Sequence, residues 1–287
     1  MCNVIPVRKP TAKTLTLDLL SSLRGEAMPV SALVAAARLF RIDENALRVA
    51  ITRLLGAGQI VRDERGSYRL GEAAHAIDQR VLGWRAAELR IAKWPGGWWL
   101  VRAGTLPPAR SLERRHRERA LALLGFAEFA PGIALRPDNL RASLAELRAE
   151  LRELGLERDA LVALVSEFDA ESEARARGLW KREAFAALYR RSLAELEASE
   201  ARLAALPEER AMVESFLLGG RVIRELVLDP LLPEPLAPET ERRALVHAMR
   251  RYDRSGRRAW ASFLARFGAP HVATPAHGER TLAQAFA

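Results

Sequence analysis

Between residues 44 and 70 the hydrophobic period switches once, from that of a helix to that of a strand. That switch constrains the fold more than any other feature of the chain. Over 44–57 the apolar positions Leu47, Ala50, Ile51 and Leu54 recur at i, i+3, i+4 and i+7, one face of an α-helix. Asp43 stands where an N-cap is needed, and Gly56 and Gly58 end the run. Residues 59–62 and 67–70 then flank Asp63-Glu64-Arg65-Gly66, a strand–turn–strand with a glycine in the turn.

Two shorter helices precede this unit. Leu15, Leu19, Leu20 and Leu23 form one stripe over 14–23. After Pro29-Val30, with Ser31 as the expected N-cap, Leu33, Ala36, Ala37 and Phe40 form the next. The small alanines allow a second helix to cross closely, and Arg41-Ile42-Asp43 leaves only a tight connection. Three short helices followed by a small hairpin predict a winged helix-turn-helix.

The polar face of the third helix carries Asn45, Arg48, Val49, Thr52 and Arg53. Asn and Arg side chains pair bidentately with base edges in a major groove, so this face is expected to read DNA. Arg62, Arg65 and Arg69 of the hairpin are expected to hold the phosphate backbone. The alternative for such a module is a scaffold that binds protein.

Charge placement favours the polyanion. The chain has 45 Lys+Arg against 36 Asp+Glu, a net +9. Residues 1–70 carry 11 basic and 6 acidic side chains, residues 71–136 again 11 and 6, and residues 137–287 carry 23 and 24. A genome that writes Arg for Lys would not explain this asymmetry. Sequence-independent phosphate attraction is the natural use of such an excess.

A different module follows. Trp84, Trp94, Trp98 and Trp99 cluster around the turn Pro95-Gly96-Gly97. Strand and helix signals then alternate: a strand at 98–102, a helix at 108–124, strands at 126–129 and 133–136, a helix at 140–154 and a strand at 160–165. The order β-α-β-β-α-β is that of a ferredoxin-like sandwich. Such folds host small nucleases, but the first strand ends in Arg102-Ala103-Gly104, with no carboxylate to hold a metal. The helix at 108–124 carries Arg110, Arg114, Arg115, His116, Arg117 and Arg119, which reads as a solvated face or as a grip for phosphates.

Three long helices are expected at 181–206, 208–228 and 240–267, burying their extra apolar stripes against a neighbouring domain or a partner subunit. The expected fold is therefore α+β. It divides into a winged helix over 1–75, a ferredoxin-like domain over 76–170, a helical domain over 171–270 and a loosely ordered tail over 271–287.

Enzyme chemistry finds little foothold. The histidines His75, His116, His247, His271 and His277 show no metal-ligand spacing, and Cys2 is the sole cysteine. No GxSxG, P-loop or dinucleotide fingerprint occurs. A catalytic role is not expected, nor a metal or other cofactor. No apolar run approaches the ~18 residues of a membrane span, and no signal-peptide core is visible, so a cytoplasmic protein is expected.

Four stretches resemble the PaaX-like regulators of phenylacetic acid catabolism: ENALRVAITRLLGAGQI at 44–60, KWPGGWWLV at 93–101, LLGFAEFAPGIALRP at 123–137 and LDPLLP at 228–233. They occur in the family's order. The resemblance implies a homodimeric transcriptional repressor bound to an operator in double-stranded DNA. It also implies a Cas2-like central domain and release by an aryl-acyl-CoA effector such as phenylacetyl-CoA. For that effector Trp99, Arg136, Trp180 and Arg224 are the expected pocket residues. Where family members tend to carry a His-x-Tyr-Arg-Arg-like run, this chain has Gly220, Arg221, Val222, Ile223 and Arg224.

Overall fold

The computed structural model describes residues 9–270, except 64, 105, 108 and 109. Cys2, His271, His277 and the tail at 271–287 lie outside the described residues. The fold is α+β, with helices and two small antiparallel sheets. It packs as two compact units, one of residues 9–82, 195–223 and 248–270, the other of residues 83–194 and 224–247. The residues 171–270, expected as one helical domain, are shared between them.

In the first unit Thr11 opens α1 (Ala12–Ser22) through a capping box with Thr14. Two residues, Met28 and Pro29 (β1), pair with the later strand β3 (Ser67–Leu70). The chain passes from β1 directly into α2 (Val30–Leu39), with Pro29 as a cap that makes no side-chain hydrogen bond. Ser31 therefore lies inside the helix and is not its cap. The physical reason is the strand pairing of Met28 and Pro29, which starts the helix two residues early. Arg41, at φ +58°, reverses the chain, and α3 (Glu44–Gly56) begins. The Asp43 carboxylate caps it, accepting from the amides of Asn45 at 2.8 Å and Ala46 at 3.2 Å.

Leu47, Ala50, Ile51 and Leu54 of α3 are buried, as their spacing predicts. β2 (Ile60–Arg62) and β3 follow as a hairpin, and the sheet order is β1-β3-β2. At its base Gly71 approaches the Gly58 carbonyl so closely that a Cβ there would sit 2.3 Å from the oxygen. α4 (Glu72–Leu82) continues from the hairpin and was not foreseen.

Parts of two long helices, α9 (Glu208–Val227) and α10 (Glu239–Arg266), complete this core. A chain of rings runs Phe40, Phe216, Trp260, Phe263, Phe267, with centroids 5.0, 5.9, 5.4 and 5.0 Å apart in turn. Trp260 also donates to the Met212 carbonyl at 3.1 Å. Aromatic pairs in such offset geometry add to area burial. The apolar stripes of these helices thus pack on the same core as α1, α2 and α3.

The second unit starts with the 3-10 helix Gly83–Arg90. Its sheet uses β4 (Trp98–Arg102), β5 (Ala127–Ala130), β6 (Ile133–Pro137) and β7 (Leu161–Val165) in the order β5-β6-β4-β7, all antiparallel. α5 (Ser111–Leu123) lies between β4 and β5, and α6 (Leu144–Glu153), opened by a capping box at Ser143, between β6 and β7. The α6 helix starts four residues later than its apolar pattern suggests, because Ser143 and Glu146 satisfy the free amides there. α7 (Ala170–Arg177) and the first part of α8 (Arg182–Leu203) follow.

The tryptophans build the core of this unit. The Trp98 ring stacks on Trp180 at 6.1 Å, meets Trp94 edge-on at 5.1 Å, and its indole donates to Glu173 at 2.8 Å. Residues 228–233 pack against the loop after α5. Gly125, at φ +74°, leaves room for Pro230, whose Cα a Cβ at Gly125 would meet at 2.6 Å. Three buried side chains then donate to successive carbonyls: Arg136 to Pro230 at 3.4 Å, Asn139 to Leu231 at 2.7 Å and Arg242 to Leu232 at 2.8 Å. Asp229 accepts from the Tyr189 hydroxyl at 2.5 Å and the Leu231 amide at 2.8 Å.

Candidate nucleic-acid interface

Burial of one side of α3 leaves the other side to solvent. Asn45, Arg48, Val49, Thr52 and Arg53 are all exposed, and Val49, an apolar residue, is 50% exposed. A β-branched side chain at that exposure is the kind of group that meets a thymine methyl. The Thr52 hydroxyl donates back to the Arg48 carbonyl at 3.1 Å, a local bond that leaves its lone pairs outward.

The hairpin presents Arg62, Arg65 and Arg69, each exposed. Its turn is held by the Asp63 carboxylate, which accepts from the amides of Arg65 at 3.1 Å and Ser67 at 2.7 Å, with Gly66 at φ +79°. Among the described residues Arg53, Arg62, Arg65 and Arg69 form no ion pair. All eight expected contact residues lie on exposed parts of one compact unit.

Sequence reasoning passed over two neighbours, Arg38 and Glu44. Arg38 Nη2 reaches Glu44 Oε2 at 3.3 Å, while Arg48 donates to Glu44 Oε1 from Nη2 at 2.6 Å and from Nε at 3.2 Å. The hydrogen bond from Arg48 holds the Glu44 carboxyl below its usual range, with Arg38 adding to it. The i,i+4 spacing of Glu44 and Arg48 was visible in the sequence; the reach of Arg38 across the turn was not.

The four expected effector residues differ in their settings. Trp99 and Arg136 are buried, with the guanidinium 5.6 Å from the Trp99 ring centroid. Arg136 donates to the carbonyls of Leu124, Pro137 and Pro230 and to Asn139 Oδ1 at 2.9 Å. Burial pushes its pKa down, with the charge of Arg90 adding to that effect. Trp180 is half-buried against Trp98, and Arg224 is exposed on α9. Arg136 thus ties the loop after α5 to residues 137–139 and 230. In the replaced run ahead of residues 228–233, Val222 is buried and Arg221 pairs with Glu195.

On α5, Arg110 pairs with Glu113 at 3.1 Å and Arg117 with Glu157 at 2.7 Å. They border an open cleft of about 890 Å³ that also includes His116, Arg152, Arg158 and Asp159. Four arginines and four carboxylates line it, so it carries no net charge. Among the described residues no group of three His, Cys, Asp or Glu side chains could hold a metal ion. Nor is any helix among them long and apolar enough to cross a membrane.

Comparison with known proteins meets this geometry at its first unit. Residues 11–74 match the family model described as PaaX-like protein, a span that covers α1 to β3 and every expected DNA contact. No curated protein matches the chain. Among solved structures the uncharacterized protein Rv0674 from Mycobacterium tuberculosis shares the fold. It does so at a TM-score of 0.53 and 23% identity, over 87% of this chain and 98% of that one. Over residues 11–74, therefore, the chain is similar to the PaaX-like family that its sequence resembles.

Proposed function

We propose that the protein is a DNA-binding transcriptional regulator that reads its operator with α3 and clamps the backbone with the β2–β3 hairpin. In this reading α1, α2, α3 and the hairpin form a winged helix-turn-helix. The strand order β5-β6-β4-β7 with α5 and α6 is read as a ferredoxin-like sandwich. One observation carries the proposal: an exposed α3 face of Asn45, Arg48, Val49, Thr52 and Arg53 and the exposed hairpin arginines Arg62, Arg65 and Arg69 belong to one compact unit, within the segment that matches the PaaX-like model. Arginine in that position serves both bidentate base readout and phosphate neutralisation.

The resemblance supports the finer reading. The protein would act as a homodimeric repressor of an aromatic-acid catabolic operon, released when an aryl-acyl-CoA binds, and not as an enzyme. Release would be a population shift toward a dimer whose half-site spacing no longer fits the operator.

A gel-shift titration against the DNA upstream of its own coding region tests the proposal, with and without phenylacetyl-CoA. A specific complex dissolved by the thioester is the expected result. A specific complex indifferent to it removes the effector and keeps the regulator. No complex at all removes the regulator reading.

A further inference from the structure

The DNA-facing side of the first unit contains an acidic residue where a pure phosphate-binding surface would have none. Among the described carboxylates of residues 38–70, Asp43 and Asp63 are occupied by backbone amides of their own turns. Glu44 alone turns both oxygens toward guanidinium groups, Oε1 to Arg48 and Oε2 to Arg38. It stands in the first turn of α3, one helical turn before Arg48 on the same exposed face. Arg38 and Arg48 remain open to solvent, with side chains 72% and 62% exposed, so the pairs are not buried structural bridges.

An exposed ion pair contributes little to stability, because solvent screens it and two long side chains must be ordered. Its consequence here is positional. An arginine without an anchor loses rotamer freedom when it docks on a guanine, and a phosphate satisfies it equally well. Glu44 engages Nε and Nη2 of Arg48, which fixes the plane of the guanidinium and leaves the Nη1 side outward. The same carboxylate repels phosphates that approach Arg38 and Arg48 from that direction.

Resting on the DNA-reading assignment above, we infer that Glu44 is a specificity-determining positioning residue. It holds Arg48 for a base edge and disfavours sequence-independent engagement of Arg38 and Arg48 with phosphate. Glu44 thus weakens total DNA affinity in exchange for discrimination. The arrangement is a repulsive element beside an attractive one, a general means of achieving selectivity.

Fluorescence anisotropy with two duplexes tests this, the chain's own upstream region and a scrambled duplex of equal composition. Wild type, Glu44→Gln, Arg48→Ala and the double variant are compared at one salt concentration. Glu44→Gln is expected to bind the scrambled duplex more tightly and to lower the ratio of specific to scrambled affinity by about tenfold. Its salt slope on the scrambled duplex should steepen by about 0.9 for each arginine released to a phosphate. In the Arg48→Ala background the same substitution should leave the ratio unchanged, since the arginine it positions is gone.

An unchanged ratio for Glu44→Gln overturns the inference. So does an equal loss in both backgrounds, which would mean that Glu44 acts through the helix rather than through Arg48. A wild-type protein that discriminates while Glu44→Gln also discriminates sinks the positioning role alone. A wild type with no salt-sensitive complex on either duplex sinks the DNA-reading assignment and this role with it.

Discussion

Asn139 and Leu231 lie 92 positions apart in the chain, yet the Asn139 amide donates to the Leu231 carbonyl at 2.7 Å in a fully buried setting. That bond lies beside the one from Arg136 to the Pro230 carbonyl, which joins the stretch at 123–137 to the stretch at 228–233. Asn139→Ala leaves a buried carbonyl without its donor, and a group so orphaned costs about 1–3 kcal/mol. Urea denaturation should show a lowered midpoint with an unchanged m-value.

Gly125→Ala strikes the same junction from the other side. The new Cβ would meet the Pro230 Cα at 2.6 Å and the backbone would be held at φ +74°, which alanine adopts only with strain. The variant is expected to lose more stability than Asn139→Ala, because neither the clash nor the strain has a flexible side chain to absorb it. Equal midpoints for Gly125→Ala and wild type would contradict the packing described.

If α3 reads bases and the hairpin holds phosphates, as proposed, substitutions on the two should separate by their dependence on salt and sequence. Arg48→Ala or Asn45→Ala should cost about 1–3 kcal/mol on the operator and less on a scrambled duplex. Arg62→Ala, Arg65→Ala and Arg69→Ala should weaken binding to both duplexes alike and reduce the salt slope by about 1 each. Hairpin variants that change discrimination while α3 variants change only the salt slope would reverse the assigned roles.

Tyr252 gives a pH test of the first unit. Burial pushes its phenol up to about 12, against the favourable hydrogen bond it shares with Ser199 at 2.7 Å. Between pH 10 and 12 the unfolded chain has released a proton that the folded one retains, so stability falls as pH rises. The fall approaches about 1.4 kcal/mol per pH unit for each such tyrosine. Tyr189, raised by its burial beside Asp229, acts in the same direction in the second unit. Tyr252→Phe should flatten the alkaline arm of the stability profile; an unaltered arm would show that Tyr252 titrates normally.

Much of this was legible in the residues. The α3 face was readable because one side of a helix cannot be both core and surface: Leu47, Ala50, Ile51 and Leu54 left Asn45, Arg48, Thr52 and Arg53 outward. The hairpin was readable from Gly66 and the alternation around it. The alternation of strands and helices along the second unit followed from its local signals, although Ser143 shortened α6 at its start.

What escaped the sequence depends on distant contacts. Trp260 and Phe263 look like ordinary apolar positions of a long helix, and nothing local says that they join a core with Phe40. The division of the long helices between two compact units is likewise a property of packing, since their periodicity continues unbroken. Nor does sequence reveal the acceptors of Arg136, the carbonyls of Leu124 and Pro230, far along the chain from it or across a turn. Glu44 was hidden for the opposite reason: an i,i+4 Glu–Arg pair is so common on helices that it signals nothing until Arg38 is seen on its other oxygen.

The central claim is that α3 and the hairpin engage duplex DNA in a sequence-dependent manner. A salt titration of the wild-type protein, by anisotropy on its own upstream duplex and on a scrambled one, tests it most directly. The account predicts that log K falls linearly with log salt on both, with a slope of about −0.9 per phosphate contacted. It also predicts that the upstream duplex binds at least about 10³-fold more tightly than the scrambled one. Binding that ignores salt, or that fails to distinguish the two duplexes at any salt, would contradict it.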